Sequence, residues 1–185
     1  MGSGVLMDLT EKFKSSEKVF EGNLLHVYKD TVELPNGQDG YREYIKHNGA
    51  VAIVPVTDNG KIIVEKQYRY PMGKVITEIP AGKLDSPDEN HLEAAKRELR
   101  EETGYSAKTW IEIGKFYPSV AYTTECIYLY LAKDLTLGER DLDEDEFLNV
   151  EEVELKSLVQ DIMDGKIGDG KTIAAILKAE KLLQC

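Results

Sequence analysis

Apolar and polar residues follow strand-like patterns over most of this chain. From Lys18 to His47, short β-favouring runs alternate with turn signals such as Pro35-Asn36-Gly37, which predicts a small antiparallel sheet. Ala50–Thr57 is almost continuously apolar, as expected of a central strand covered on both faces. Further β-favouring runs predict five more strands, at residues 61–69, 75–79, 108–117, 125–132 and 146–155.

Helical periodicity is present in three segments. The first runs from Glu89 to Thr103, where apolar residues form one stripe that is expected to face a core: Leu92, Ala95 and Leu99. Leu155–Met163 and Lys171–Leu183 predict two more helices near the end of the chain. This order of elements predicts an α/β (α+β) fold in which a mixed central sheet carries helices on both faces.

The length of 185 residues is that of one domain with a small extension. We expect residues 1–47 to form an N-terminal antiparallel β extension and residues 48–185 to form the main domain. A few strands joined by hairpins bury little apolar surface alone, so the extension is expected to pack on the main domain or on a second subunit. The second arrangement would make the protein a homodimer.

Three carboxylates share one sector of the first predicted helix. Glu98, Glu101 and Glu102 are related by i, i+3 and i+4 spacing, which places their Cβ atoms about 5–6 Å apart on adjacent turns. Such a cluster is either a solvated acidic face or a divalent-cation site, since hard ions such as Mg²⁺ bind carboxylate oxygens. Gly82 and Gly104 favour the cation site, because the first permits close approach of backbone to a ligand and the second is a common helix end.

These residues form part of a longer pattern that resembles the Nudix box, G-x5-E-x7-R-E-U-x-E-E-x-G-U, where U is aliphatic or bulky and apolar. The matching positions are Gly82, Glu89, Arg97, Glu98, Leu99, Glu101, Glu102, Gly104 and Tyr105. One extra residue lies between Gly82 and Glu89, for which we expect a longer loop at Asp85–Asp88 and an intact helix. The resemblance implies the Nudix α/β/α sandwich, with the box helix against the sheet.

Sequence runs outside the box resemble the ADP-ribose pyrophosphatase branch of Nudix hydrolases, among them KQYRYP, EIPAGK, AAKREL, EETGY and FYPS. Those enzymes use Mg²⁺ to hydrolyse ADP-ribose to AMP and ribose 5-phosphate. The resemblance therefore implies hydrolysis of ADP-ribose or a related nucleoside diphosphate sugar, with Mg²⁺ or Mn²⁺ as cofactor. It also implies a homodimer that exchanges its N-terminal strands.

One departure from the branch concerns the substrate. The branch usually has Ser-Pro-Gly in the loop where this chain has Ser119-Val120-Ala121, so the shape of the loop is expected to differ. One alternative is a Nudix hydrolase for another dinucleotide, such as NADH, FAD or a diadenosine polyphosphate. Another is a sensor that binds ADP-ribose without catalysis.

Hydrolysis of a pyrophosphate is assisted by divalent cations, which neutralise phosphate oxygens and activate water. We predict Glu98 and Glu102 as the principal metal ligands, Glu101 in support, and the carbonyl of Ala81, made accessible by Gly82, as a backbone ligand. Glu101 and Glu102 are also predicted as catalytic residues.

Two further box residues are predicted to support the site. Arg97 is expected to orient carboxylates through charge-assisted hydrogen bonds. Glu89 falls opposite the metal sector on a regular helical wheel, so its role is indirect.

The resemblance suggests roles for residues outside the box. Glu125 matches a loop glutamate proposed as general base or metal ligand in this branch, although it is also consistent with an ordinary glutamate at a strand start. Arg42 and Arg69 match substrate-binding arginines, and the planar guanidinium suits phosphate, but each also reads as a surface charge. An adenine-stacking role remains open among three tyrosines that also read as packing residues: Tyr28, Tyr44 and Tyr70.

The net charge of −11 argues against nucleic acid or an anionic membrane as the main partner. One acidic segment, Asp141–Glu146, contains residue types that bind metal ions, but we interpret it as a solvated loop. No apolar run has the length of a membrane span, and the start lacks the regions of a signal peptide. Cys126 and Cys185 form no disulfide framework. The chain is therefore predicted to act on a small nucleotide-sugar substrate in the cytoplasm.

Overall fold

A computed structural model describes residues 6–142 and 146–184. Its strands are β1 (Lys12–Glu21), β2 (His26–Glu33), β3 (Asp39–Ile45), β4 (Ala50–Pro55), β5 (Lys61–Arg69), β6 (Lys74–Glu78), β7 (Ala81–Lys83), β8 (Tyr105–Phe116), β9 (Ile127–Leu137) and β10 (Leu148–Glu154). Its α-helices are α1 (His91–Thr103), α2 (Leu155–Met163) and α3 (Gly170–Leu183). None of the helices in these residues is both long enough and apolar enough to cross a membrane.

The described chain divides into two compact units. The first comprises the chain up to His47 together with Ser119–Glu125, and the second comprises the remainder. In the first unit, β1, β2 and β3 form an antiparallel sheet in that order. The later segment pairs with the end of β3, since Ile45 accepts a hydrogen bond from the Thr124 amide and donates one to the Tyr122 carbonyl, at 3.0 and 2.9 Å.

The predicted antiparallel extension is present, but its first strand was predicted to begin too late. The earliest β-favouring run starts at Lys18, whereas β1 begins at Lys12. Every residue of β1 is exposed, so no buried face imposes an alternating apolar pattern on its first half.

The second unit contains a mixed sheet, as predicted. Its strand order is β7-β4-β9-β8, with β4 and β9 parallel and the outer pairs antiparallel. A separate antiparallel sheet has the order β10-β5-β6.

Strand β4 explains how helices cover both faces of the mixed sheet. All of its residues are buried, and successive side chains point to opposite faces. Ala52 and Val54 pack in one apolar cluster with residues of α2 and α3: Leu158, Ala175, Ile176 and Ala179. Val51 and Ile53 pack in a second cluster with residues of α1: Ala94, Ala95 and Leu99. The predicted layered arrangement is thus confirmed, and the box helix lies against the sheet.

Helix α1 has well-defined ends. The Asn90 side chain accepts hydrogen bonds from the amides of Leu92 and Glu93, at 3.0 and 3.2 Å, and so caps the first turn. Gly104 ends the helix in the left-handed conformation, with φ of 78°, and its amide bonds to the Arg100 carbonyl. The predicted start at Glu89 was therefore two residues early, because the cap lies at Asn90.

Candidate active site

Strand β7 brings the backbone of Gly82 against the side chain of Glu98. A Cβ atom on Gly82 would lie 2.0 Å from Cδ of Glu98 and 2.1 Å from each carboxylate oxygen. Only glycine leaves room for this approach. The position of β7 is set by antiparallel pairing of Ala81 and Gly82 with Ala52 and Val51 of β4. The site is therefore built from a short strand that the sequence patterns did not predict.

The Glu102 carboxylate lies beside the preceding residue of β7. Its Oε2 accepts a hydrogen bond from the Ala81 amide at 2.9 Å, and the residue is only 5% exposed. Burial raises the pKa of Glu102, and the charges of Glu65 and Glu98 raise it further. One face of α1 thus presents two carboxylates, those of Glu98 and Glu102, to the backbone of β7.

Arg97 is the cation of this site. Its Nη1 lies 2.7 Å from Oε1 of Glu98 and 3.1 Å from Oε2 of Glu101. Its Nη2 lies 3.4 Å from Oε1 of Glu89 and 3.9 Å from Oδ1 of Asp85. Burial alone would lower the pKa of Arg97. The charge of Glu98 and the hydrogen bonds to Glu101 and Glu98 outweigh that effect, so the pKa of Arg97 is raised overall. The guanidinium thus contacts carboxylates of α1 on one side and of the preceding loop on the other.

Glu89 reaches the site from the loop before α1. Its Oε2 accepts a hydrogen bond from the Asp85 amide at 2.7 Å, while Oε1 faces Arg97. The wheel argument that placed Glu89 opposite the metal sector was wrong, because this residue precedes the helix and does not follow its periodicity. The stretch where the extra residue was expected, Asp85–Asp88, is an exposed turn.

The cluster of interacting carboxylates contains more residues than the box motif predicted. Burial raises the pKa of Glu98 to about 7, against the opposing effect of Arg97. Glu65 of β5 is also buried, and burial raises its pKa as well. The charge of Glu146 raises the pKa of Glu65, Glu98 and Glu102.

Sequence reasoning missed two of these carboxylates. Glu65 gave one signal, a charged residue inside the apolar run of β5. Glu146 belongs to the segment interpreted as a solvated loop, yet it is partly buried and acts on the cluster. Residues 143–145 of that segment lie outside the described residues.

The carboxylate oxygens of this cluster suit a hard divalent cation, although the side chains are not arranged as a complete metal site. In residues 6–142 and 146–184, no three His, Cys, Asp or Glu side chains are grouped closely enough to hold an ion. Arg97 holds Glu98 and Glu101 in ion pairs. In the part of the chain that the structure describes, Oε1 of Glu65 is buried and has no hydrogen-bond partner. The donors of the cluster are carboxylate oxygens, which are hard ligands that bind Mg²⁺.

Arg69 lies at the end of β5, where it forms a bidentate ion pair with Glu78. Its Nε and Nη2 lie 2.7 and 2.8 Å from the two carboxylate oxygens, and Lys171 contacts the same carboxylate. Glu78 is 4% exposed. Burial raises the pKa of Glu78, but its bonds to Arg69 and the charge of Lys171 outweigh that effect and lower it overall. The predicted substrate-binding arginine is therefore held in place by a buried acid.

Four other predicted residues belong to the first unit. Arg42 on β3 pairs with Glu11 and donates to the Tyr41 carbonyl at 2.8 Å. Glu125 is partly buried, and its amide donates to Oγ1 of Thr123 at 3.1 Å. Tyr28 and Tyr44 stack on each other, with ring centroids 5.9 Å apart. The third candidate tyrosine, Tyr70, is in the second unit and is 86% exposed.

Comparison with known proteins identifies two matching domain families. The Nudix domain matches residues 46–176, and the N-terminal domain of nucleoside diphosphate sugar hydrolases matches residues 11–45. The first match contains the whole of the cluster described above.

Relatives of known name match almost the full chain. The ADP-ribose pyrophosphatase of Bacillus subtilis (strain 168) is 44% identical over 183 residues, which cover 97% of this chain and 98% of the relative. The methanol dehydrogenase activator of Bacillus methanolicus is 42% identical over 168 residues, which cover 90% of each chain. The crystal structure of an ADP compounds hydrolase has the same fold, with a TM-score of 0.82 at 24% identity over 94% of both chains.

Proposed function

The chain belongs to the Nudix family, and we propose that it hydrolyses the pyrophosphate bond of ADP-ribose, giving AMP and ribose 5-phosphate, or that of a related nucleoside diphosphate sugar. The observation that carries this proposal is the 44% identity to an ADP-ribose pyrophosphatase across almost the whole chain. The N-terminal match to nucleoside diphosphate sugar hydrolases supports the same substrate class.

We propose that the cofactor is Mg²⁺, which Mn²⁺ can replace, held by Glu98 and Glu102 with support from Glu101 and the carbonyl of Ala81. Such a cation neutralises phosphate oxygens and lowers the pKa of bound water. Three observations support these ligands: the close approach of Glu98 to Gly82, the burial of Glu102, and the bond from the Ala81 amide to that carboxylate.

Arg97 and Glu89 are proposed as positioning residues. The guanidinium holds Glu98 and Glu101 in fixed orientations, and Glu89 holds the guanidinium from the loop side. Because the arginine is itself within reach of four carboxylates, it offsets their repulsion when no other cation is present.

The proposed roles of three residues outside the box come from sequence resemblance. Glu125 is proposed as the general base, and Arg42 and Arg69 as substrate-binding residues. For Arg69 the bidentate pair with Glu78 supports a fixed direction of the side chain.

We further propose a homodimer formed through the N-terminal sheet. Strand β1 exposes large apolar side chains, with Phe13 at 66%, Val19 at 48% and Phe20 at 55% exposure. Exposed apolar patches of this kind are typical of protein interfaces. Light scattering should give twice the chain mass for the wild-type protein and the single mass for Phe20→Asp; a wild-type monomer would remove the proposal.

A cytoplasmic location is proposed on the basis of cysteine chemistry. Cys126 carries a free thiol in the described part of the chain. Free thiols are stable in reducing compartments.

Product analysis tests the proposed activity. The protein is incubated with Mg²⁺ and ADP-ribose, UDP-glucose, GDP-mannose, NADH, FAD or diadenosine tetraphosphate, and products are separated by chromatography. Fastest formation of AMP and ribose 5-phosphate from ADP-ribose is expected. Preference for a dinucleotide would change the substrate, and tight ADP-ribose binding without turnover would make the protein a sensor.

Variants on α1 link that activity to the carboxylate cluster. Glu98→Gln and Glu102→Gln are each expected to lower turnover at least about a hundredfold, because each removes a charged oxygen donor. Glu93→Gln is the matched control, since Glu93 lies on the same helix but is exposed and pairs with Lys96. Full turnover in both cluster variants would refute the ligand assignment.

A second candidate function is suggested by the relative named a methanol dehydrogenase activator. We propose to test whether this chain raises the methanol oxidation rate of a purified methanol dehydrogenase. Adding Glu98→Gln protein in parallel separates an effect of hydrolysis from an effect of binding. An unchanged oxidation rate with the wild-type protein would exclude this function.

A further inference from the structure

Glu65 is a buried acid outside the Nudix box. It lies near the middle of β5, is 4% exposed, and follows three buried apolar residues, Ile62, Ile63 and Val64. Among residues 6–142 and 146–184, its Oε1 is buried and finds no hydrogen-bond partner. Buried carboxylates are normally paired or bound to a cation, because desolvation of an unpaired carboxylate is costly. An unpartnered acid at this position therefore calls for an explanation.

The neighbouring strand β6 does not supply a partner for Glu65. In the antiparallel pairing of β5 with β6, Glu65 lies directly opposite Glu78, which places two carboxylates on one face of the sheet. Arg69 and Lys171 both bind the Glu78 carboxylate. Across β10, the residue opposite Glu65 is Val150. In the described part of the chain, no ion pair within 4.0 Å includes Glu65, and the two positive charges that lower its pKa, those of Arg140 and Lys171, act from beyond that distance.

Strand β6 connects Glu65 to the carboxylates of α1. Glu78, opposite Glu65, lies three residues before Ala81, and the Ala81 amide donates a hydrogen bond to Oε2 of Glu102 at 2.9 Å. Glu102 is buried at this position, and the charge of Glu65 raises its pKa. The two buried acids, one from β5 and one from α1, therefore repel each other when both are charged.

We propose that Glu65 is a further carboxylate ligand of the divalent-cation site, supplied by β5 and sharing an ion with Glu102. The inference rests on the proposed function, since it assumes that Glu98 and Glu102 bind a cation. A divalent cation would satisfy Oε1 of Glu65 and offset its repulsion from Glu102 and Glu78. The other interpretation is a protonated acid that only fills space in the sheet.

Direct cation binding distinguishes the two interpretations. Mn²⁺ is titrated into metal-free protein, and bound and free ion are counted by electron paramagnetic resonance, with no substrate present. Glu65→Gln keeps the size of the side chain and removes its charge. It is expected to weaken Mn²⁺ binding by about ten- to a hundredfold, or to lower the number of ions bound per chain. Glu152→Gln, exposed on β10 of the same sheet, is the matched control and should bind as the wild type does.

A second variant and a stability measurement show whether a change in Mn²⁺ binding results from misfolding. Glu65→Asp keeps the charge on a shorter side chain and should bind Mn²⁺ more weakly than the wild type but more tightly than Glu65→Gln. Without metal, Glu65→Gln should melt at or above the wild-type temperature, because it removes a buried charge. Mn²⁺ should raise the melting temperature of Glu65→Gln by less than it raises that of the wild type.

The possible outcomes separate the role of Glu65 from the proposed function of the protein. If the wild type binds Mn²⁺ and Glu65→Gln binds it equally well and in equal number, the role of Glu65 is refuted while the proposed function stands. If Glu65→Gln does not fold, equal binding by Glu65→Asp and wild type refutes the role. If the wild type binds no Mn²⁺ and hydrolyses nothing, the proposed function fails as well.

Discussion

The carboxylate of Glu98 occupies the space that a side chain at Gly82 would need, with Cδ only 2.0 Å from the position of a Cβ atom. The glycine of the Nudix box is required here for close approach. Its backbone does not adopt the left-handed conformation.

Gly82→Ala should therefore displace Glu98 and lower metal-dependent turnover at least about tenfold, with a stability loss of about 1–3 kcal/mol from overpacking. Turnover and urea unfolding measure the two effects. Gly168→Ala is the matched control, because nothing lies within 4 Å of the added Cβ and the backbone is not left-handed. Unchanged turnover in Gly82→Ala would show that Glu98 has no fixed position.

Arg97→Gln should destabilise the metal-free protein by about 1–3 kcal/mol, because it leaves Glu98 and Glu101 facing each other without their cation. Saturating Mg²⁺ should recover part of that loss, since a second cation then offsets the same repulsion. Unfolding in EDTA and in Mg²⁺ gives both values. Lys96→Gln, which loses only an exposed pair with Glu93, should change stability by less than about 0.5 kcal/mol. Equal losses in the two variants would argue against the role of Arg97.

The pKa of Glu98, raised to about 7 by burial, predicts how stability depends on pH. Because the folded pKa is above the unfolded value of 4.5, the folded state binds the extra proton between these values. The contribution of Glu98 to stability is present in full below pH 4.5 and is lost as pH rises through about 7.

In EDTA, stability should therefore fall between about pH 5 and 8, and Mn²⁺ affinity should rise over the same range because the ligand loses its proton. Glu98→Gln should show a smaller fall. Glu78 acts in the opposite sense, since its pKa is lowered and its contribution is lost in acid, so measurements above pH 5 separate the two groups. A stability that rises from pH 5 to 8 would contradict this prediction.

Glu78→Gln should destabilise the protein by about 3 kcal/mol, because Arg69 and Lys171 lose a buried partner. Chemical denaturation measures this loss. Glu151→Gln, which breaks an exposed pair with Lys66, provides the comparison and should cost less than about 1 kcal/mol. If the two variants were equally stable, the buried pair would make no special contribution.

Periodic patterns predicted the elements that bury a face. Helix α2 has the predicted bounds Leu155–Met163, and β5 has the predicted bounds 61–69. In α2 the apolar residues that pack in the core have helical spacing, whereas β5 begins with three consecutive buried apolar residues, at positions 62–64. The α1 stripe was also correct, since Ala95 and Leu99 are fully buried.

Elements without a buried face were not predictable in this way. Strand β7 has three residues, Ala81–Lys83, and its position depends on pairing with β4, which is distant in sequence. Glu89 was misplaced because helical periodicity was extended past the cap at Asn90. Glu65 and Glu146 join the cluster through tertiary packing, and the only local signal was the charge of Glu65 inside the apolar run of β5.

The length of the turn between β7 and α1 does not determine the positions of the carboxylates on α1. Residues 85–88 are exposed, while Glu89 bonds back to the Asp85 amide and Asn90 starts the helix independently. An added residue in this turn therefore shifts neither the helix nor its carboxylates. Insertion of a short peptide tag or a fluorescent label is therefore expected to be tolerated between Pro87 and Asp88, next to the cluster but away from the contacts of Asp85 and Glu89 with Arg97.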